Sequence, residues 1–359
     1  MSITLTSGLV AAVVSVATQA QNQGEQPVDT TTTQPAVEQP TRQLNSFNPQ
    51  ISLVSDFRSR LVNTRPDGEK LSELKELELG FAADVDPFLK AEAYIAFANE
   101  DGEAVAEVEE AFARYNRLGK GWSAKFGKIA AAVGRVQRNH ADQQNFLETP
   151  LVIQDFLGEE GLKAPGVSFS YLLPGDRFNE ITFEALQPEP GNLFGDSDTS
   201  RLAYVGHYRT FFDFSEDLSA QLGLTYLNGP SEGDRRSNLY GIDFTMKNQP
   251  GSGRSSVLET EAFWGSNGLA GSETAFGFFA SYTQQLGPRL FGNFKYDYSE
   301  IPGTSDWHSS YSIGLTLKPT EFHHWRVAYE QRRGNAGDRG NSLDIQFQWM
   351  IGAHPAHKY

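Results

Sequence analysis

Residues 343–351, LDIQFQWMI, decide the fold because apolar and polar side chains alternate along them almost without exception. Every second residue from Leu343 is apolar, and the residues between are mostly polar. Successive side chains of a β-strand point to opposite sides, so such a strand separates an apolar environment from a polar one. The same alternation recurs in residues 290–298, 218–226 and 89–97.

The pattern extends over most of the chain from about residue 47 onward. Alternating runs of about ten residues are separated by turn residues. These runs exceed the usual strand length of soluble proteins, about 5–6 residues. Sixteen strands are predicted, near residues 47–57, 73–84, 87–98, 103–116, 121–130, 165–173, 179–186, 200–213, 217–227, 238–247, 254–264, 273–285, 288–299, 307–318, 322–333 and 341–351.

The connections between the predicted strands fall into two alternating classes. Short ones lie at 84–87, 118–121, 174–177, 215–217 and 286–289, and longer, more polar ones at 58–72, 187–199 and 228–237. Short periplasmic turns that alternate with longer external loops are typical of outer-membrane barrels. Closure gives every backbone amide a partner, as lipid requires. We therefore predict an all-β fold, a transmembrane antiparallel up-and-down β-barrel with both termini on the periplasmic side.

Composition supports this fold class and excludes others. The chain has 359 residues, a net charge of −15, 39% hydrophobic residues, 25 Phe, 13 Tyr and 34 Gly. No run approaches the ~20 apolar residues of a membrane-spanning helix. The absence of cysteine excludes disulfides, thiolate metal sites and cysteine nucleophiles. The acidic balance argues against a nucleic-acid partner, which needs a basic face.

The two ends of the chain are predicted to lie outside the barrel. Residues 1–20 have the apolar segment LVAAVVSVA and cleavage positions after Ala17 or Ala20, which indicates a signal peptide, although no Lys or Arg precedes it. An apolar N-terminal arm is the alternative. Residues 21–45 are predicted to be a disordered periplasmic leader, 46–351 the barrel and 352–359 a short periplasmic tail. The last strand resembles the signal read by the barrel-assembly machinery.

The fourth strand is irregular. Residues 103–118 place Glu109 and Glu110 side by side, so no single phase of alternation separates polar from apolar residues. We expect a β-bulge there, because one extra residue shifts the facing of those that follow. A helix is the competing interpretation.

The longest internal connection, 133–163, follows the fifth strand and starts on the external side. It carries apolar residues that need burial, and long loops in compact folds are usually functional. We expect it to fold into the lumen and narrow the pore. The side chains expected at this constriction are Arg135, Arg138, His140, Asp142 and Asp155. An external cap or an oligomer contact is the alternative.

Sixteen strands with the longest loop after the fifth resemble the general and phosphate-selective porins of Gram-negative outer membranes. The resemblance covers residues 45–351 at the level of architecture. It implies that the long loop forms the constriction and that the protein forms a homotrimer. The C-terminal sequence HPAHKY, residues 354–359, resembles a group of proteobacterial outer-membrane proteins labelled as zinc-related receptors. The plug domain and roughly 22 strands of a TonB-gated receptor do not fit in this chain.

Charged residues on the inward faces are expected to set selectivity. Acidic and basic candidates nearly balance, which would orient dipolar solutes, and they lack the ladder of arginines that phosphate selectivity needs. The net charge favours cations weakly. The residues expected on the lumen wall are Glu76, Glu78, Glu92, Glu107, Lys125, Arg209, Glu259, Glu261, Lys295, Asp297, Arg326, Glu330 and Arg332.

Four histidines raise a separate hypothesis. His323 and His324 follow the last periplasmic turn, and His354 and His357 follow the final strand. Because these strands are neighbours, the four side chains could meet at the periplasmic rim and bind Zn²⁺. Solvated rim histidines are the alternative, and we assign no metal or cofactor.

The function predicted from sequence is a porin, a water-filled channel for passive diffusion of small polar solutes and ions. The alternatives are a channel specific for a sugar, peptide, phosphate or metal complex, and a structural or adhesive barrel. No Gly-x-Ser-x-Gly elbow or other catalytic spacing indicates an enzyme. The expected partners are outer-membrane lipid, lipopolysaccharide, the assembly machinery and small polar solutes.

Overall fold

The computed structural model describes residues 3–4, 49–64, 71–100, 103–139, 143–251, 254–269, 273–335 and 339–352. The predicted signal peptide, apart from residues 3–4, lies outside these ranges, as do the leader and residues 353–359 of the tail. His140, Asp142, His354 and His357 also lie outside them. In the described ranges, the two residues Ile3–Thr4 pair with Ala106 and Val105.

Sixteen further strands within the described ranges form one closed antiparallel barrel. Each strand pairs with the next one, and the last pairs with the first. The strands are β1 Gln50–Asn63, β2 Ser72–Asp84, β3 Leu89–Glu100, β4 Glu103–Gly119, β5 Trp122–Ala130, β6 Lys163–Leu172, β7 Asn179–Leu186, β8 Ala203–Asp213, β9 Leu218–Pro230, β10 Arg236–Asn248, β11 Ser256–Ser266, β12 Ala275–Gln285, β13 Leu290–Glu300, β14 Trp307–Leu317, β15 His323–Gly334 and β16 Gly340–Ile351. The predicted fold class and strand number are confirmed.

The apolar and polar residues that alternate in the sequence lie on the outer and inner faces of the barrel, respectively. In β13, Phe294 and Tyr296 are exposed on the outer face, whereas Asn293, Lys295 and Asp297 are buried toward the lumen. A large apolar outer face suits lipid, since no water is available there to solvate polar groups.

One predicted boundary is wrong. Residues 58–63, predicted to be loop, continue β1 and pair with β16 as far as Asn63 opposite Ser342. The inward side chain of Arg60 stabilises this extension, because its Nε lies 2.6 Å from Oδ1 of Asp344. Every other strand end lies within three residues of its predicted position.

The predicted bulge in β4 is confirmed, and the helical alternative is wrong. Tyr94 pairs with Glu110 and Ile95 with Val108, so that Glu109 is the extra residue. Glu109 and Glu110 are both buried, and both line the same lumenal cavity. The bulge therefore gives two consecutive carboxylates to the lumen, which a regular strand would not do.

The barrel has two unlike ends. The turn end carries the first residues of β1, the last residues of β16 and short connections such as 286–289. The loop end carries the opposite connections, including 187–202 and 231–235. The connection 131–162, which we call the inward loop, leaves β5 at the loop end and contains the short helix α1 Leu151–Leu157. No helix in the described ranges is long and apolar enough to cross a membrane.

Candidate functional site: a constricted channel

The inward loop is attached to the barrel wall by carboxylates that accept its backbone N–H groups. Ala132 donates to Glu184 at 2.7 Å. Arg135 and Val136 both donate to Oε1 of Glu261, at 2.7 and 2.6 Å. Each bond satisfies a backbone donor inside the barrel that would otherwise lack an acceptor, so these contacts hold the start of the loop inside the barrel.

Cations on the opposite side of the barrel hold the carbonyl groups of the same loop. Arg326 donates to the backbone oxygens of Phe146 and Gln144, both at 2.8 Å. Lys295 donates to the backbone oxygen of Glu148 at 3.0 Å. The loop thus crosses the lumen and is bound on both sides, which confirms that it folds inward.

Apolar packing supplies a third kind of attachment. Val152, Ile153 and Phe156 of α1 are fully buried in an apolar cluster between the loop and the wall. Glycines on the inner face make room for them. A Cβ added at Gly265 would lie 2.7 Å from Cε1 of Phe156, and one at Gly277 would lie 2.8 Å from Cγ2 of Val152. Part of the lumen is therefore filled with apolar side chains rather than water.

The remaining space includes two cavities that share lining residues of the inward loop. The loop-end cavity, of about 470 Å³, is lined mainly by the inward loop and by β1, β2, β4 and β15. The first turn-end cavity, of about 190 Å³, is lined by the loop and by β4–β8. Glu110, Arg138 and Asn139 line both cavities. These three residues lie where the two cavities adjoin, and we call this place the passage.

Arg138 is the basic side chain at this passage. Burial lowers the pKa of its guanidinium below the ordinary value, and the nearby cation Arg209 lowers it further. Asp243, Glu261 and Glu184 raise it. The three carboxylates and Arg209 therefore act on the Arg138 guanidinium in opposite directions.

The other residues predicted for the constriction that the structure describes are bound to the wall. Nη1 of Arg135 lies 2.7 Å from Oε1 of Glu259 and 3.1 Å from Oγ1 of Thr245. Oδ2 of Asp155 lies 2.6 Å from Nε2 of His308. Both side chains attach the loop, and Arg135, like Arg138, also lines the first turn-end cavity.

The predicted wall residues divide into three groups. Glu259, Glu261, Lys295, Asp297 and Arg326 contact the inward loop. Glu76, Glu78, Lys125, Arg209 and Arg332 line the cavities described above. Glu92, Glu107 and Glu330 form ion pairs with Lys90, Lys128 and Arg332. Their role in selectivity stays a prediction.

Three carboxylates converge at the loop end. Oxygens of Glu76, Glu78 and Glu109 all lie within 4.8 Å of one another. Nζ of Lys163 lies 3.0 Å from Glu109, so the acidic group is partly neutralised. At the other end, His323 packs its ring against Phe347, whereas the neighbouring His324 is buried. Adjacent strand residues face opposite sides, so these two rings do not converge.

Sequence analysis did not identify several residues that hold the loop. Glu148 at the tip of the loop lies 3.4 Å from Nη1 of Arg58 and 3.3 Å from Nη2 of Arg60. Glu184 binds the start of the loop. The two arginines fall in the segment predicted to be an external loop, and no local pattern indicates a partner about 90 residues away.

Removal of the Glu261 carboxylate is expected to loosen the inward loop. In Glu261→Ala, the N–H groups of Arg135 and Val136 lose their shared acceptor, at a cost of about 1–3 kcal/mol for each buried donor. Faster proteolysis of the loop in refolded protein would measure the effect. Glu261→Gln keeps an acceptor oxygen and should be intermediate, and Glu321→Ala in an exposed turn should change nothing. Equal protection of all three variants would contradict the assignment.

Comparisons with known proteins agree with this architecture. No family model matches the chain. An uncharacterized protein of Aquifex aeolicus (strain VF5) is 27% identical in an alignment 387 positions long, gaps included, that covers 88% of this chain and 80% of that protein. Pseudomonas putida OprB in its high-pH structure superposes with a TM-score of 0.60 and 9% identity, over 86% of this chain and 94% of OprB. The chain has the fold of an outer-membrane porin.

Two further solved structures share the porin fold. The anion-selective porin from Comamonas acidovorans has a TM-score of 0.59 and 13% identity, over 85% of this chain and 99% of that porin. The trimer form of Vibrio cholerae OmpT has a TM-score of 0.55 and 11% identity, over 84% of this chain and 99% of OmpT. OmpT is described as an outer-membrane protein, and this chain shares its barrel fold.

Proposed function

We propose that this chain is a porin that lets small polar solutes and ions diffuse passively across the outer membrane of a Gram-negative bacterium. The observation that carries this proposal is the pair of polar cavities that meet at Glu110, Arg138 and Asn139. A passage lined by charged and amide groups replaces part of the hydration of a polar solute, so such a solute enters it more easily than an apolar one.

A solute-specific channel is the second candidate, and the attachment of the inward loop favours it. Carboxylates, cations and an apolar cluster fix the loop on several sides, so the passage has a defined shape. Rigid support of this kind is what shape discrimination requires. Liposome swelling with sugars of equal mass and different shape separates the candidates. Equal rates support general diffusion, and a single fast sugar supports specificity.

The same proposal includes the surroundings of the barrel. Residues 1–20 act as the signal peptide, 21–45 as a periplasmic leader and 352–359 as a tail. The barrel-assembly machinery inserts the chain, and the apolar outer face contacts lipid and lipopolysaccharide. A homotrimer is supported by the trimer form of the OmpT neighbour. Gel filtration of the detergent-solubilised protein with light scattering tests that state.

Planar-bilayer recordings test the channel, and Arg138→Ala tests its narrowest point. Wild-type protein should give discrete conductance steps. Arg138→Ala should conduct more, because a bulky side chain leaves the passage, and the reversal potential in a KCl gradient should shift toward cations. Arg289→Ala in an exposed turn is the matched control and should behave as wild type.

Two outcomes would contradict these expectations. Folded protein that never conducts would favour a structural or adhesive barrel instead of a channel. Channels whose conductance and reversal potential do not change in Arg138→Ala would place the narrowest point elsewhere.

A further inference from the structure

Charge in the lumen is divided between the two ends of the barrel. The loop-end cavity is lined by seven acidic and five basic side chains. The acidic ones include the three converging residues of β2 and β4, the second bulge residue Glu110, and Glu159 and Glu160 of the inward loop. This end of the channel has an acidic excess.

The turn end has the opposite balance. The first turn-end cavity is lined by five basic and three acidic side chains. A second turn-end cavity, of about 430 Å³, lies beneath the loop on the side of β10–β15. Its lining residues, all within the described ranges, include Lys247, Lys318 and Arg326 and no acidic residue. Both cavities at this end are therefore basic.

We propose that this axial separation of charge makes the channel bipolar, so that it conducts ions asymmetrically and favours zwitterionic solutes. The inference rests on the proposed channel function and specifies its solute class. An ammonium group is stabilised among the loop-end acids and a carboxylate among the turn-end bases. A solute that carries both groups therefore matches the lumen in one orientation, whereas an ion of either sign crosses one unfavourable zone.

The direction of the asymmetry follows from the sign of charge at each end. Acidic walls concentrate cations at the loop end, and basic walls concentrate anions at the turn end. A voltage that is positive on the loop side drives both ions into the channel from the ends where they are concentrated. The reversed voltage draws both away and depletes the passage. The current should therefore be larger when the compartment on the loop side is positive.

Salt concentration provides a test on the unmodified protein. The Debye length is about 10 Å at 0.1 M salt and about 3 Å at 1 M, so wall charges control the whole lumen only in dilute salt. We expect currents at equal and opposite voltages to differ by at least about 1.5-fold at 0.1 M KCl, and to become nearly equal at 1 M. The orientation of the inserted channel is determined with Glu232→Cys, which lies in an exposed connection at the loop end. An impermeant thiol reagent added to one compartment modifies this cysteine only if the loop end faces that compartment.

Charge-reversal variants test whether the basic side chains at the turn end cause the current asymmetry. Lys247→Glu with Lys318→Glu reverses two charges that line the second turn-end cavity and should remove the asymmetry. Lys120→Glu with Arg254→Glu reverses two exposed turn charges outside the three cavities and should preserve it. Heat-modifiable migration in gels identifies folded barrels before recording.

The outcomes separate this inference from the channel function itself. Absence of conductance from folded wild-type protein would refute the channel. Symmetric currents at 0.1 M KCl, asymmetry of the opposite sign, or asymmetry equal in both double variants would each overturn the bipolar lumen and leave the channel intact. Liposome swelling should be faster with glycine than with a neutral solute of similar size, and this preference should disappear in Lys247→Glu with Lys318→Glu. Equal swelling rates in the wild type would overturn the solute class.

Discussion

Phe156→Ala is expected to raise single-channel conductance about two-fold, because the inward loop and its apolar cluster fill part of the lumen. The Phe156 ring is fully buried, lies 6.1 Å from the ring of Phe263 and occupies the space left by Gly265. Truncation of a buried Phe to Ala costs about 3–5 kcal/mol. That loss is large for a helix of seven residues, which has little stability of its own.

Phe183→Ala is the matched control for this prediction. Phe183 lies on the lipid-facing side of β7 and is 60% exposed, so the same chemical change removes no contact inside the barrel. The control should leave conductance unchanged, while Phe156→Ala should also add noise as the loop moves. If both variants conduct like the wild type, the apolar cluster does not hold the inward loop in place.

The barrel could be predicted from sequence because each strand carries its own signal. In β13 and β16 the period of two is nearly complete, and the facing of each side chain follows from it without knowledge of any neighbour. The bulge was predictable for the same reason. Consecutive residues of a regular strand face opposite sides, so Glu109 and Glu110 could not both face the lumen without a bulge. The second half of β1 was missed because Arg58, Ser59 and Arg60 lack that alternation.

The filled part of the lumen could not be predicted from this pattern. Alternation shows which side chains face inward, and it does not show whether they meet water or another part of the chain. Glu261 and Glu78 have the same signal in sequence, yet one binds the inward loop and the other lines a cavity. A partial signal exists in the inward glycines of β11 and β12, Gly265 and Gly277, which leave room for α1.

Arg60→Ala is expected to have the second large effect, because Arg60 joins three separate parts of the chain. It lies in β1, binds Asp344 of β16 at 2.6 Å and binds Glu148 of the inward loop at 3.3 Å. Arg60 and Asp344 are both buried. Removal of one partner from a buried ion pair costs about 3–5 kcal/mol, since the other charge stays behind in a place that water reaches poorly. The seam between the first and last strands should weaken, and urea unfolding of the refolded barrel should occur at lower urea.

A double-mutant cycle decides whether the ion pair itself is responsible. Arg60→Ala with Asp344→Ala removes both charges, so the double variant should be more stable than the sum of the single losses predicts. Arg60→Lys keeps the charge and loses the planar geometry that serves two carboxylates at once, so it should restore only part of the stability. Additive losses would show that Arg60 and Asp344 act independently. In that case the backbone pairing of β1 with β16 would close the barrel without them, and Arg60 would matter only through Glu148 and the position of the inward loop.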